Sequence, residues 1–104
     1  MILTTTETVP GRDILQPLGI ARGSVVRARF VGRDIVAGLR SIVGGEVNEY
    51  TKLMAEAREQ AMDRMIEDAS GLGADAVVNI RFSTSMILQG TSEILVYGTA
   101  VKLK

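Results

Sequence analysis

The apolar positions of this 104-residue chain fall into several short alternating runs and one long helical stripe. Between Glu46 and Leu72, the residues Val47, Tyr50, Met54, Ala57, Ala61, Met65, Ala69 and Leu72 recur three or four apart, which sets them along one side of a helix. The spacing predicts a helix over 46–72, about 40 Å long at 1.5 Å per residue and stopped by Gly71 and Gly73. That is long for so small a domain, so part of the helix is expected to project past its own sheet. Ahead of it, Asp34 is placed to cap a shorter helix carrying Ile35, Leu39, Ile42 and Val43, and Gly44-Gly45 forms the corner between the two.

The remaining runs read as strands. Residues 2–6 (ILTTT) are β-branched and lead to a turn at Pro10-Gly11. In DILQPLGIARGSVVRARF, Val26, Ala28 and Phe30 alternate with Arg27 and Arg29, which predicts a strand with one wet face. Pro17 marks its beginning as an edge or a bulge. After Gly73, Val78, Ile80 and Phe82 alternate with Asn79, Arg81 and Ser83, and Leu95, Tyr97, Val101 and Leu103 share one face of a final strand. A turn at Gln89-Gly90-Thr91-Ser92 makes these two a hairpin. The final strand also carries Ile94, Val96 and Ala100 on its other face, and one helical layer covers only one side. The second side therefore calls for another subunit. The order β-β-α-α-β-β, with no repeat or linker, predicts a single α+β domain over residues 1–104: a small antiparallel sheet with a short and a long helix.

Charge and composition narrow the chemistry. Twelve basic and twelve acidic side chains cancel, and the densest basic group is only Arg22, Arg27 and Arg29, so no nucleic-acid partner is expected. The N-terminal MILTTTETVPG has no basic leader before an apolar run, and no stretch approaches the roughly 20 apolar residues that span a bilayer. A cytoplasmic protein without a membrane partner is expected. Cysteine and histidine are both absent, which removes disulfides, thiolate chemistry and the commonest general base. Zinc and Cu(I) also lose their usual donors, so no tight binding of a soft metal is expected.

Few side chains are left as candidates. Asp63 and Glu67, one turn apart on a helix face that also bears Glu49, Glu56 and Glu59, could jointly hold a hard cation such as Mg²⁺ or Ca²⁺; otherwise this face is simply solvated. Met54, Met62 and Met65 stand at core spacing, where methionine fills gaps. Neither glycine pair matches a phosphate-binding fingerprint, and the Ser/Thr-rich segments have no base beside them, so no catalytic residue is assigned. Arg58 is unusual, because it falls inside the apolar sector among Met54, Met62 and Met65. A guanidinium there needs a carboxylate, and its own helix offers none one turn away. Arg58 is expected to anchor the helix across a packing interface, with Asp34 and Glu93 as the partners.

The segments GLRSIVGGEVNEYTKLMAEAREQAMDRMIEDASGLGADAVVNIRFSTS and EILVYGTAVKL resemble the YbjQ-like family, small uncharacterised prokaryotic proteins labelled heavy-metal-binding. The likeness covers nearly the whole chain and rests on the IVGG corner, the EAR of the long helix, GADAVVNIRF and YGTAV. The resemblance implies a domain that assembles with copies of itself into a ring, typically a homopentamer. It also implies a metal as the cofactor, in a chain with no Cys or His to bind a soft one. A non-catalytic protein binding a metal or small ligand between subunits is the reading that follows. Two others stand beside it: an enzyme site completed by neighbouring chains, with Tyr50, Lys52, Arg58 and Glu93 as its polar groups, and a purely structural ring.

Overall fold

A computed structural model describes residues 1–28, 48–88 and 90–104. The helical stripe forms α1, Asn48–Gly71. Its fully buried positions are Ala57, Ala61, Met65 and Ala69, a row of steps of four in which three members are alanine. Small side chains along that row let the helix backbone come close to whatever it covers. The helix ends where Gly73 takes φ +78°, a left-handed conformation that glycine adopts without steric cost. The Gly73 N–H donates to the Ser70 carbonyl at 3.0 Å and the Ala74 N–H to the Ala69 carbonyl at 3.1 Å, the two bonds of a Schellman cap. The shorter helix expected from Asp34 onward, and the Gly44-Gly45 corner, lie outside the described residues. Among the described residues there is one helix.

Four strands make one sheet: β1 (Ile2–Leu3), β2 (Ile14–Ala28), β3 (Ala76–Leu88) and β4 (Thr91–Leu103), in the order β1-β3-β4-β2. β3 and β4 are the expected hairpin, closing at Leu88 and Thr91. β2 pairs antiparallel with β4 as an edge strand, with register shifts at Ile14/Gln16 and Pro17/Gly19, the irregularity that Pro17 foretold. The sheet is mixed, not antiparallel, because β1 runs parallel to β3, Ile2 beside Ala76. A parallel pair needs a long crossover, and β2 with α1 lies between these two strands in sequence. Beyond β1 the chain stays beside β3, the Thr4 N–H donating to the Val77 carbonyl and the Ile80 N–H to the Thr4 carbonyl, both at 3.1 Å, while Thr4 Oγ1 accepts from the Thr6 N–H at 3.1 Å.

Two apolar clusters hold the faces of the sheet. Ala21, Val25, Val77, Ile80, Ile94, Val96 and Ala100 pack under α1 with its buried row. On the other face, at one end only, Val9, Ala76, Val78, Val101 and Leu103 pack with Ile14. Two expectations about facing are corrected here. In β2 it is Ala21, Gly23 and Val25 that meet the helix, while Val26 is 54% exposed. Arg27 shares the helix side and reaches along it, its Nη2 donating to Gln60 Oε1 at 2.8 Å. In β3, Val78 and Ile80 belong to opposite faces. Asn79 takes φ +55° in a bulge between Val78 and Arg81, and the extra residue reverses the alternation of everything after it.

Asp75, between α1 and β3, ties the end of β4 to this junction. Its Oδ2 accepts from the Leu103 N–H at 2.9 Å and its Oδ1 lies 3.5 Å from Lys102 Nζ. The Leu103 hydrogen bond, with help from the Lys102 charge, lowers its pKa below the ordinary 3.8. A depressed carboxylate stabilises the fold fully above its unfolded value and ceases to do so as pH falls through the folded one. Denaturant melts from about pH 5 to about pH 2 should therefore show the wild type losing stability more steeply than Asp75→Asn. Parallel slopes for the two proteins would remove Asp75 from the acid response.

Candidate functional site

α1 lies over β2 and β4, and its side chains close the outer edge of the sheet. The backbone N–H of Arg22 donates to Asp68 Oδ2 at 3.0 Å, and Arg64 Nη1 donates to the Ser24 carbonyl at 2.6 Å. Both bonds occupy outward-pointing backbone groups of β2 that would otherwise invite another strand. A shallow cleft of about 630 Å³, lined by Arg22, Arg64, Glu67, Asp68, Gly71 and Leu72, follows this edge. Sequence reasoning did not single out Arg64 or Asp68. Their signal is position: each stands beside a member of the buried row, on the side turned toward β2.

Among the described residues the other side of the sheet has no such cover. β3 is exposed at every position from Arg81 to Leu88, including Phe82, Met86, Ile87 and Leu88. Strand pairing fixes which face each residue takes. Phe82 sits beside Val96 and Thr84 beside Ile94, on the helix side; Arg81 sits beside Tyr97, Ser83 beside Leu95 and Ser85 beside Glu93, on the opposite side. From β2, Arg22, Ser24 and Val26 complete those last three rows. The uncovered face thus presents Arg22-Tyr97-Arg81, then Ser24-Leu95-Ser83, then Val26-Glu93-Ser85. Arg81 is partly occupied, its Nη1 donating to the carbonyls of Thr5 and Ile80 at 3.0 and 2.8 Å.

The sequence candidates take their places in this frame. Arg58 is exposed, although by helical spacing it lies in the middle of the buried sector, and it makes no hydrogen bond or ion pair among the described residues. It lies about 120° around the helix from Arg64, on the flank turned away from β2. Glu93 is half-buried on the face away from the helix and has no partner among the described residues either. Arg58 and Glu93 therefore stand on opposite faces, and the expected pair does not form within one chain. Tyr50 lies in the first described turn of α1, and Asp34 lies outside the described residues. Lys52, Asp63 and Glu67 are exposed along the outer side of α1. Among the described residues no three His, Cys, Asp or Glu side chains gather as a metal site. Met65 is fully buried and Met54 and Met62 pack against the same cluster, as gap-filling methionines do.

Comparison with known proteins now decides the family. A family model described as "Putative heavy-metal-binding" matches residues 1–104. The chain belongs to the YbjQ family. Relatives similar to it include a UPF0145 protein of Methanosarcina acetivorans, 58% identical over 103 residues covering 99% of this chain and 97% of the relative. Another, from Vibrio campbellii, is 60% identical over 103 residues, covering 99% of each. A crystal structure from Pediococcus pentosaceus, of a protein of unknown function in the DUF74 family, superposes with a TM-score of 0.61 at 18% identity, covering 100% of this chain and 98% of that one. That likeness bears on the fold, a small α+β unit with a four-stranded mixed sheet. The donor set does not fit the heavy metal in the YbjQ label: the whole sequence lacks Cys and His, and the carboxylates Asp63 and Glu67 suit a hard cation. Among the described residues no helix is long and apolar enough to cross a membrane.

Proposed function

We propose that this YbjQ family member is a non-catalytic, cytoplasmic, self-associating binding protein, built as a ring whose ligand sites lie between subunits. The observation that carries this reading is the outer half of β3, eight consecutive exposed residues that include Met86 at 75% and Leu88 at 67%. Among the described residues this stretch pairs along one edge only, and its exposed apolar side chains, Phe82, Met86, Ile87 and Leu88, are a liability unless something covers them. The pentamer implied by the family resemblance gives a natural number for the ring. The absence of any nucleophile–base pairing in the sequence favours binding over catalysis.

Native mass spectrometry of the untagged protein, with and without added Zn²⁺ or Cu(I), tests the reading. The expected spectrum is a multiple of the 11.2 kDa chain with no stoichiometric soft metal retained. An 11.2 kDa monomer at micromolar concentration would end the proposal, and one tightly held zinc or copper per chain would reinstate the heavy-metal label.

A further inference from the structure

Along the outer edge of β2, the two bonds from α1 leave a gap between them. Among the described residues β2 pairs only with β4, so alternate residues turn their backbone groups outward. Arg22 and Ser24 are such residues, because Asp68 takes the Arg22 N–H and Arg64 the Ser24 carbonyl. The Arg22 carbonyl and the Ser24 N–H point the same way, between those two bonds, and meet no partner among the described residues.

Charge around this gap has an order. Arg22, Arg64, Glu67 and Asp68 all line the cleft, and no two of them form an ion pair. With two cations and two carboxylates, a simple anion or a simple cation meets as much repulsion as attraction there. The Arg22 side chain leaves from the uncovered face of the sheet, beside Tyr97. On the helix side, Asp68 marks the Arg22 end of the gap and the Arg64 guanidinium marks the Ser24 end. We propose that this cleft binds a free α-amino acid, its ammonium on the Arg22 carbonyl beside Asp68 and Glu67, its carboxylate on the Ser24 N–H beside Arg64.

The two backbone bonds are those that one residue of a parallel strand makes, donating to one carbonyl and accepting from the N–H two residues on. An α-amino acid meets that spacing because it carries both groups on one carbon. A longer extended peptide does not fit, since Asp68 and Arg64 already occupy the backbone groups on either side of the gap. The site goes beyond the inter-subunit binding argued above: it is built within one chain and needs no second copy.

Amide-resolved NMR titration of the wild type tests the assignment, with L-alanine as probe and propionate and ethylamine as its two halves. L-Alanine should shift the Ser24 N–H saturably, with a dissociation constant on the order of 1 mM for so small a ligand. Each half alone should bind about tenfold more weakly, and β-alanine, whose charges are one methylene further apart, should also lose affinity. Glu67 has no partner among the described residues, so Glu67→Gln should keep the amide spectrum and melting temperature while weakening L-alanine about threefold. Asp68→Asn keeps an oxygen for the Arg22 N–H and removes the charge, and should weaken it as well. An unmoved Ser24 N–H at about 50 mM L-alanine, equal binding of propionate or ethylamine, or unchanged affinity in both variants would each overturn the proposal. None of these readouts depends on how many chains associate, so failure here leaves self-association standing.

Discussion

Gly23→Ala is expected to destabilise the protein by about 3 kcal/mol, at the upper end of the cost of overpacking a core. A methyl group at this position would run into the carbonyl oxygen of Ala61 and stand 2.5 Å from Met65 N and 2.8 Å from Arg64 Cβ. Two of these atoms are helix backbone, so no rotamer change relieves the clash. Relief requires lifting α1 off β2, which would pull Asp68 from the Arg22 N–H and Arg64 from the Ser24 carbonyl. The urea midpoint should fall with little change in slope. A loss under about 1 kcal/mol would mean that the helix slides without disturbing its other contacts.

Met65→Ala should cost a comparable amount, about 3 kcal/mol, because it empties the largest fully buried side chain beneath the helix. Its neighbours in the helix row are alanines, which have no reach to fill the space. The informative control is Met65→Leu, which keeps the volume and removes the sulfur. It should cost less than about 1.5 kcal/mol if Met65 is there to pack. A leucine variant as unstable as the alanine variant would give the thioether a role beyond filling space. Thermal unfolding of the two variants side by side decides between them.

Patterns that repeat were legible in the sequence, and patterns that depend on a partner element were not. The i, i+4 row of Ala57, Ala61, Met65 and Ala69 is visible because helical periodicity is local, and Gly73 as a helix stop is local too. The hairpin between β3 and β4 followed from its turn residues. The phase of β3 was lost because one bulged residue, Asn79, moves all later side chains to the other face, and nothing in a single sequence marks the insertion. The facing of β2 was misread because arginine was assigned to water, whereas Arg27 lies along the helix and bonds to Gln60. Arg58 was expected among the apolar positions of α1, yet it is exposed. Its exposure follows from the narrowness of the covered sheet, a tertiary fact that helical spacing does not contain.

The strand order also dictates when this protein is able to fold. β4 lies in the middle of the sheet, flanked by β2 and β3, yet it is the last of the four strands to leave the ribosome. Until it emerges, β2 has no partner strand among the described residues, and its contact with β4 spans the chain from Ile14 to Leu103. Helix α1 forms from local contacts and packs mostly on β2, which precedes it, but the rest of its covering surface arrives only with β4. The domain is therefore committed to folding after the synthesis of residue 103, by a slow, long-range closure. During that interval the apolar strands are open to chaperones, and also to neighbouring nascent chains of the same sequence.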